Sequence, residues 1–347
     1  MSEFIVIDPI NDERWGQFIS KCSQANMFHM PGWMKTLKDQ YGFSVFACCL
    51  IIGGEITAGI PFCETKTITG KKKWISLPFS DFVPPLYFKE NDLEELLREI
   101  ISYYKKEGNI HKIEIRYQFP VRSEFISVES DVLYIRDLSM PNEEIFSSFG
   151  KNPVQRPIKK ALKSGLSYEI NNSAEAVEEF YRIHLITRKK LGVPIQPKKF
   201  FIHFQENIIM KENGFIILVK HPSGKVISAG ILAGFNGNVS IKYSASDRDY
   251  LEFRPNNLMF WASIEASNNK GYKTYDFGKT AIKQESLCQF KSYWGTRREK
   301  LGYNFYPEGE EQKEDSFILN KIIGPMIKFG PKFVCRAIGE LLYKYSV

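Results

Sequence analysis

"KVISAGILAGFNGNVSIKYSA", residues 225–245, reads as two strands and the turn between them. A run of small and branched apolar residues ends at Asn236-Gly237, a dipeptide suited to the left-handed backbone of a tight hairpin. Beyond the turn, Val239, Ile241 and Tyr243 alternate with polar residues, the period of a half-buried strand. The hairpin therefore spans Lys225–Phe235 and Val239–Ala245, and its neighbours extend the pattern. Upstream lie a strand near Leu166–Ile170, helices over Ala174–Leu191 and Lys198–Lys211, and a strand over Gly214–His221. Downstream come a helix over Asn256–Asn269 and a strand over Lys273–Phe277.

The first half of the chain repeats this order. A strand at Phe4–Ile7 precedes helices at Trp15–Lys21 and Trp33–Gln40. Strands follow at Ser44–Ile52, Glu55–Glu64 and Lys73–Leu77, the first two joined by Gly53-Gly54. Leu93, Leu96, Leu97, Ile100, Ile101 and Tyr104 then make a helical stripe, and Lys112–Tyr117 alternates as a closing strand. "SDFVPPLYFKENDL" (80–93) aligns with "SDRDYLEFRPNNL" (246–258), each linking a third strand to the next helix. The spacing of about 165 residues is too long for a solenoid repeat and indicates a duplicated domain.

Composition bounds the chemistry. The chain has 347 residues, 43% hydrophobic and 25% charged, as in an ordinary globular protein. Its length predicts two domains. No apolar run approaches the roughly 18 residues of a membrane span. "MSEFIVIDPINDERWG" places acids where a signal peptide carries positive charge, so a cytoplasmic location is expected. The six cysteines form no C-x-x-C pair, and neither zinc nor any other metal is expected. A net charge of +7 suits phosphate-bearing partners: a coenzyme, a tRNA, a lipid-linked sugar or an anionic membrane face.

Several motifs fail on inspection. "FGKT" (277–280) lacks the glycine five residues before Gly278 that a phosphate-cradling loop requires; Lys273 stands there. "DFG" (276–278) has no kinase catalytic loop to accompany it. His29, His111, His184, His203 and His221 are scattered without ligand spacing, and no nucleophile elbow is present.

Three stretches carry a resemblance: "WISLPFSDFVPPL" (74–86), "RPIKKALKSGL" with "YRIHLITRKKLGVPIQPKKFF" (156–166, 181–201), and "RPNNLMFWASIEASNNKGYKTYDFGKT" with "LCQFKSYWG" (254–295). Together they resemble the Fem-type peptidoglycan bridge-forming enzymes and the FemAB-like and CelD-like GNAT acyltransferases. The β-α-α-β-β-β-α-β order is similar to the GNAT layout. The resemblance implies a mixed α/β fold with two GNAT-like acyltransferase domains in tandem. It also implies acyl transfer from acyl-CoA or aminoacyl-tRNA to an amine of a cell-surface polysaccharide or peptidoglycan precursor. The expected domains are 1–140 and 141–310, with an amphipathic tail, 311–347, packed on them. The GNAT pyrophosphate loop would be Asp247–Asn257, which has no glycine; Arg254 and the helix start at Asn256 remain as anion contacts.

Candidate residues follow from chemistry and resemblance together. Asp276 and Lys279 bracket the C-terminal end of a strand, where α/β sheets place ligands, and Gly278 lets backbone approach a substrate. Lys291 corresponds to the lysine of the Fem-type "FK" motif, suited to a developing oxyanion. Asp276 or Glu285 is a candidate proton acceptor, with Tyr243 as a neighbouring hydroxyl. On the bland reading Asp276 caps a turn and Lys291 pairs at the surface. Substituting Lys291 or Asp276 is expected to remove turnover and leave the fold intact. Arg156, Lys159, Lys160 and Lys163 share one helical face, either a solvated stripe or an anion site, with Ile158, Ala161 and Leu162 left to pack. Trp33 and the loop Ser80–Leu86 are candidates for the acceptor side. In the tail, Met326, Phe329, Phe333, Val334, Ala337, Ile338, Leu341, Leu342 and Tyr345 recur at helical spacing with Lys328, Lys332, Arg336 and Lys344 interspersed, a pattern for docking on a domain, with an anionic membrane surface as the alternative. The other class left open is a non-catalytic tandem module that binds a phosphate-bearing ligand or RNA.

Overall fold

The computed structural model describes residues 2–121, 123–307 and 323–346. It divides into two compact units. The first holds the chain through Asp131 and takes it up again from Lys300; the second runs from Val132 to Glu299 and includes the C-terminal helices.

In the first unit the order is β1 (Ser2–Ile7), α1 (Glu13–Lys21), α2 (Pro31–Tyr41), β2 (Ser44–Ile52), β3 (Glu55–Lys66), β4 (Lys72–Ile75), β5 (Leu86–Tyr87), α3 (Glu90–Glu107) and β6 (Ile110–Ile115). The strands β1-β2-β3-β4 pair antiparallel, and β4 pairs parallel with β6. The stripe expected on α3 is the buried one. Leu93, Leu96, Leu97, Ile100 and Ile101 pack on Ile60, Phe62 and Trp74, each contributing about 1.5–3 kcal/mol of apolar burial.

The second unit repeats both order and pairing. β8 (Ser167–Ile170), α6 (Ala174–Leu191), α7 (Lys198–Asn207), β9 (Gly214–Lys220), β10 (Val226–Phe235), β11 (Asn238–Ser246), α8 (Pro255–Asn269) and β12 (Thr274–Asp276) follow one another. β8-β9-β10-β11 pair antiparallel and β11 pairs parallel with β12. The duplication read from the sequence thus recurs in five strands of each unit, while β5, which pairs with β3, is replaced in the second by a 3-10 turn over Arg248–Phe253. α8 is apolar on nearly every side, with Leu258, Met259, Phe260, Trp261 and Ile264 all buried. Its buried Ser263 and Ser267 donate back to Phe260 O and Ser263 O, at 2.8 and 2.6 Å, which satisfies their hydroxyls without leaving the core.

Three features differ from the sequence-based expectation. Besides the two-residue β5 and β13 (Thr280–Ala281), two long strands were not anticipated, β7 (Ile126–Asp137) and β14 (Arg297–Tyr306). "RREK" opens β14 with charges, and the brief alternation of "ISVE" in β7 is broken at Ser130-Asp131. The chain end of each repeat is exchanged: β7 follows the first repeat but pairs antiparallel with β12, and β14 follows the second repeat but pairs with β6. The unit boundary therefore falls inside β7, at 131/132, rather than at 140/141, and the chain from Lys300 rejoins the first unit. Lastly, α7 stops at Asn207 and a separate 3-10 turn covers Ile209–Lys211.

The tail forms α10 (Gly324–Phe329) and α11 (Lys332–Leu342), and residues 311–322 of the expected tail lie outside the described residues. Among the described residues no helix is long and apolar enough to cross a membrane.

Candidate functional site

The site builds from the point where β11 and β12 stop pairing. The two strands run parallel only from Asn238–Ser240 against Thr274–Asp276. β11 continues to Ser246, whereas β12 ends and the chain turns at Gly278, whose φ of +74° is a conformation glycine adopts without strain. The register of β11 also slips at Lys242, between Ile241 and Tyr243, a bulge that twists the strand. Past the paired end the β12 side is bonded within the chain, with the Phe277 N–H donating to Tyr134 O at 3.0 Å.

Asp276 closes the paired end. It is buried, its Oδ1 accepts from the Gly278 N–H at 2.8 Å, and its Oδ2 accepts from the Ser240 hydroxyl at 3.2 Å. Ser240 was not singled out from the sequence; only strand register puts it beside Asp276. Lys291 lies in α9 (Glu285–Ser292) and is also buried. Its Nζ donates to Phe277 O and Gly278 O, both at 2.7 Å, and reaches Lys279 O at 3.5 Å. Lys291 is thus not a surface ion-pair partner. Glu285 is exposed at the first position of α9 and Lys279 is half-buried.

The basic helix is α5 (Arg156–Lys163), preceded by a π turn over Lys151–Gln155. Arg156, Lys159, Lys160 and Lys163 are exposed, while Ile158 and Ala161 are buried against the core that includes α8. Leu162, expected to pack with them, is exposed, because at i+4 from Ile158 but i+1 from Ala161 it leans toward the basic side. The Lys159 ammonium lies 5.9 Å from the Phe146 ring. Two hydrogen bonds bring this helix start to the other candidates: Gly150 N–H to Tyr293 O at 3.2 Å, and Asn257 Nδ2 to Pro153 O at 3.3 Å. The starts of α5 and α8 and the end of α9 therefore converge within the second unit. Phe149, Phe260, Phe277 and Trp294 fill the space beneath, with Phe149 and Trp294 edge to face at 5.1 Å.

The loop from β11 to α8 is a 3-10 turn, Arg248–Phe253, that ends on Arg254 at φ +61°. Asp247 caps it through the Asp249 N–H at 3.2 Å and accepts from Lys225 Nζ at 3.0 Å. Burial raises the Asp247 pKa, but the Lys225 ammonium and the Asp249 N–H outweigh it and hold the carboxyl below its usual range. Asn256 has its Oδ1 at 3.3 Å from the Ser228 hydroxyl, so its side chain is part of the α8 anchorage.

Two candidates are core residues. Trp33 is fully buried and its indole N–H donates to Ser80 Oγ at 3.0 Å, so it supports the Ser80 loop from beneath and offers no face to an acceptor. The Tyr243 ring is enclosed by Phe180, Phe200, Phe201, Phe204 and His184, with centroids 5.2–6.5 Å away, a packing role that single-sequence reading could not separate from a cleft hydroxyl. Arg136, on β7, was missed. It donates from Nη1 to Gly295 O at 2.9 Å and lies over the Phe149 ring, and burial lowers its pKa against the pull of Asp137. A hollow of about 530 Å³ between β8, β9 and α6 is lined in part by Lys225, the partner of Asp247. Its Lys220 and Arg182 are paired with Glu169 and Glu179 at 2.7 Å, which makes it a salt-bridged recess.

Residues 149–292, which contain α5, the parted strands and α9, match the Acetyltransferase (GNAT) domain family model. A lipid II:glycine glycyltransferase of Staphylococcus haemolyticus (strain JCSC1435) is 34% identical over 105 residues, 28% of this chain and 25% of that protein. The Staphylococcus epidermidis (strain ATCC 35984) protein of the same name is 31% identical over 142 residues, 37% of this chain and 34% of its own length. The match thus spans a quarter to a third of these relatives. Among solved structures, FemX superposes with a TM-score of 0.70 at 15% identity, covering 91% of this chain and 99% of FemX. A tandem GNAT protein from the clavulanic acid biosynthesis pathway gives 0.57 at 9% identity, covering 90% and 100%. These structural likenesses concern the fold. The chain therefore contains a region, residues 149–292, that matches the GNAT domain, and its fold is the one seen in FemX and in a tandem GNAT protein.

Proposed function

We propose that the chain is an N-acyltransferase that moves an aminoacyl group from a tRNA-type ester carrier to an amine of a peptidoglycan-type precursor. The observation that carries the choice of carrier is the β11–α8 loop. Where a GNAT enzyme would seat a coenzyme A pyrophosphate, this loop has no glycine and carries the carboxylates Asp247, Asp249 and Glu252. Asp247 is paired with Lys225 at 3.0 Å and the exposed Asp249 and Glu252 stand in one loop with Arg248 and Arg254, so the choice rests on the missing glycines, which would let backbone N–H groups close on a pyrophosphate. The exposed cations Arg156, Lys159, Lys160 and Lys163 instead line a helix that starts beside the end of α9, a surface suited to a long polyanion. The partial identity to proteins named lipid II:glycine glycyltransferase supports the acceptor class.

In this reading the acceptor amine attacks the ester carbonyl directly, the carrier hydroxyl leaves, and no covalent enzyme intermediate forms. Asp276 takes the amine's proton at the end of β12 and passes it to the carrier oxygen as the ester C–O bond breaks. Lys291 is a positioning residue: its ammonium fixes the carbonyls of residues 277–279 and so sets the shape of the turn against which the tetrahedral intermediate forms. Gly278 and Lys279 lie in that turn, and Arg254 and Asn256, at the start of α8, are proposed as anion contacts.

The test is transfer of label to a synthetic UDP-linked or lipid-linked pentapeptide, from a charged tRNA mixture and, separately, from acetyl-CoA. Label arriving only from tRNA is the expected result. Transfer only from acetyl-CoA would overturn the carrier assignment. Saturable tRNA binding with no transfer from either donor would replace the enzyme with a binding module.

A further inference from the structure

α10 and α11 dock on α6 by one face only. Ile327, Cys335, Gly339 and Tyr343 are buried, and Lys189 Nζ donates to Lys328 O at 3.1 Å. A Cβ at Gly339 would stand 2.0 Å from Ile195 O, so the helix lies directly on backbone there. The opposite face is strongly apolar yet open: Phe329 is 81% exposed, Phe333 and Leu341 69%, Met326 55%. On α11 the open stripe is Phe333, Ala337 and Leu341, at i, i+4 and i+8, and Arg336 and Lys344 flank it. Residues 323–346 carry four cations, Lys328, Lys332, Arg336 and Lys344, against the single acid Glu340. The exposed end of α6 beside it adds Lys189, Lys190 and the 54%-exposed Leu191.

We propose that this face binds the surface of an anionic lipid bilayer, with Phe329, Phe333 and Leu341 entering the headgroup–acyl boundary and the lysines meeting anionic headgroups. Exposed large apolar side chains interleaved with cations fit an interface whose one side is apolar and whose other is negatively charged. A protein partner would be met by an apolar patch depleted of lysine at its centre; here lysines stand next to the phenylalanines in sequence. The proposal deepens the reading above, since a lipid-linked acceptor would lie in that bilayer, but it is measured without donor or acceptor, so either can fail alone.

The experiment is co-sedimentation of the full chain with vesicles of phosphatidylcholine alone and of phosphatidylcholine with phosphatidylglycerol, at low and high salt. The wild type is expected to pellet with the anionic vesicles and to be released by salt. Lys328→Glu with Lys332→Glu should lower partitioning by about thirty-fold or more, and Phe329→Ser with Phe333→Ser by about ten-fold or more. All four residues are exposed, so both double variants should keep the wild-type melting temperature. A wild type that stays in the supernatant, or variants that partition like it, would overturn the proposal. So would a lipid-free dimer abolished by the phenylalanine pair, which would assign the face to a second copy of the chain.

Discussion

Lys291 Nζ lies 2.7 Å from the carbonyl oxygen of Gly278, in the interior of the second unit. A buried ammonium bound to carbonyls holds a turn closed, and removing it leaves those oxygens without their donor. The expectation that Lys291 can be replaced without touching the fold is therefore revised. Lys291→Ala should cost about 2–4 kcal/mol of stability as well as turnover. Lys291→Arg, which keeps the charge, should restore most of the melting temperature but little of kcat, because its planar fork cannot reach the same set of carbonyls. Full activity in Lys291→Ala would end its positioning role.

Asp276 and Ser240 separate chemistry from architecture. Asp276→Asn keeps an oxygen for the Gly278 N–H but removes the base, and kcat should fall by about 100-fold or more with KM little changed. Ser240→Ala removes one hydrogen bond, worth about 1 kcal/mol, and should lower kcat by less than ten-fold. Equal losses in the two variants would mean that Asp276 only holds the turn.

Carrier binding at α5 should be electrostatic. Reversing Lys159 and Lys160 to glutamate should weaken tRNA binding and flatten the dependence of log K on log salt by about 1.4–1.8 if each lysine meets one phosphate. Both side chains are exposed, so the thermal midpoint should not move. An unchanged salt slope would return this face to the status of a solvated helix surface.

Two buried histidines set the acid limit of stability. Burial lowers the His29 pKa to about 4, against its bonds to Pro84 O and the Asn26 backbone, and lowers His184 to about 3, with Arg188 adding to the effect and Gln196 opposing it. Both folded values lie below the unfolded value of 6.5. The unfolded chain then binds more protons below that pH, so stability is complete above 6.5 and is lost as pH falls toward 4 and 3. Each histidine contributes a slope of up to about 1.4 kcal/mol per pH unit. Urea midpoints between pH 7 and 5 should fall steeply, and His29→Gln should flatten the curve. A midpoint independent of pH over that range would contradict the neutral burial of both rings.

Much of the architecture was legible because its signals are local. The hairpin at Asn236-Gly237, the stripe Leu93–Ile101 and the basic face of α5 all follow from periodicity and turn chemistry within a few residues. The repeated order could be read by setting one half against the other. What failed had no local signature. β14 starts in charged residues, the alternation of β7 breaks off at Ser130-Asp131, and each strand acquires its partner from the other repeat's sequence, a pairing that periodicity does not encode. Trp33 and Tyr243 look alike in sequence whether they line a cleft or fill a core.

The sequence by itself determined the two-fold repeat, the mixed α/β class, the glycine-free loop before α8 and the charge of α5 and of the tail, because composition and spacing carry these directly. Only the tertiary structure decided that Ser240 meets Asp276, that Lys291 faces inward onto the carbonyls of residues 277–279, and that the tail turns Phe329 and Phe333 outward. Those facts depend on strand register and on which helix face finds a neighbour, and both are set by residues distant along the chain.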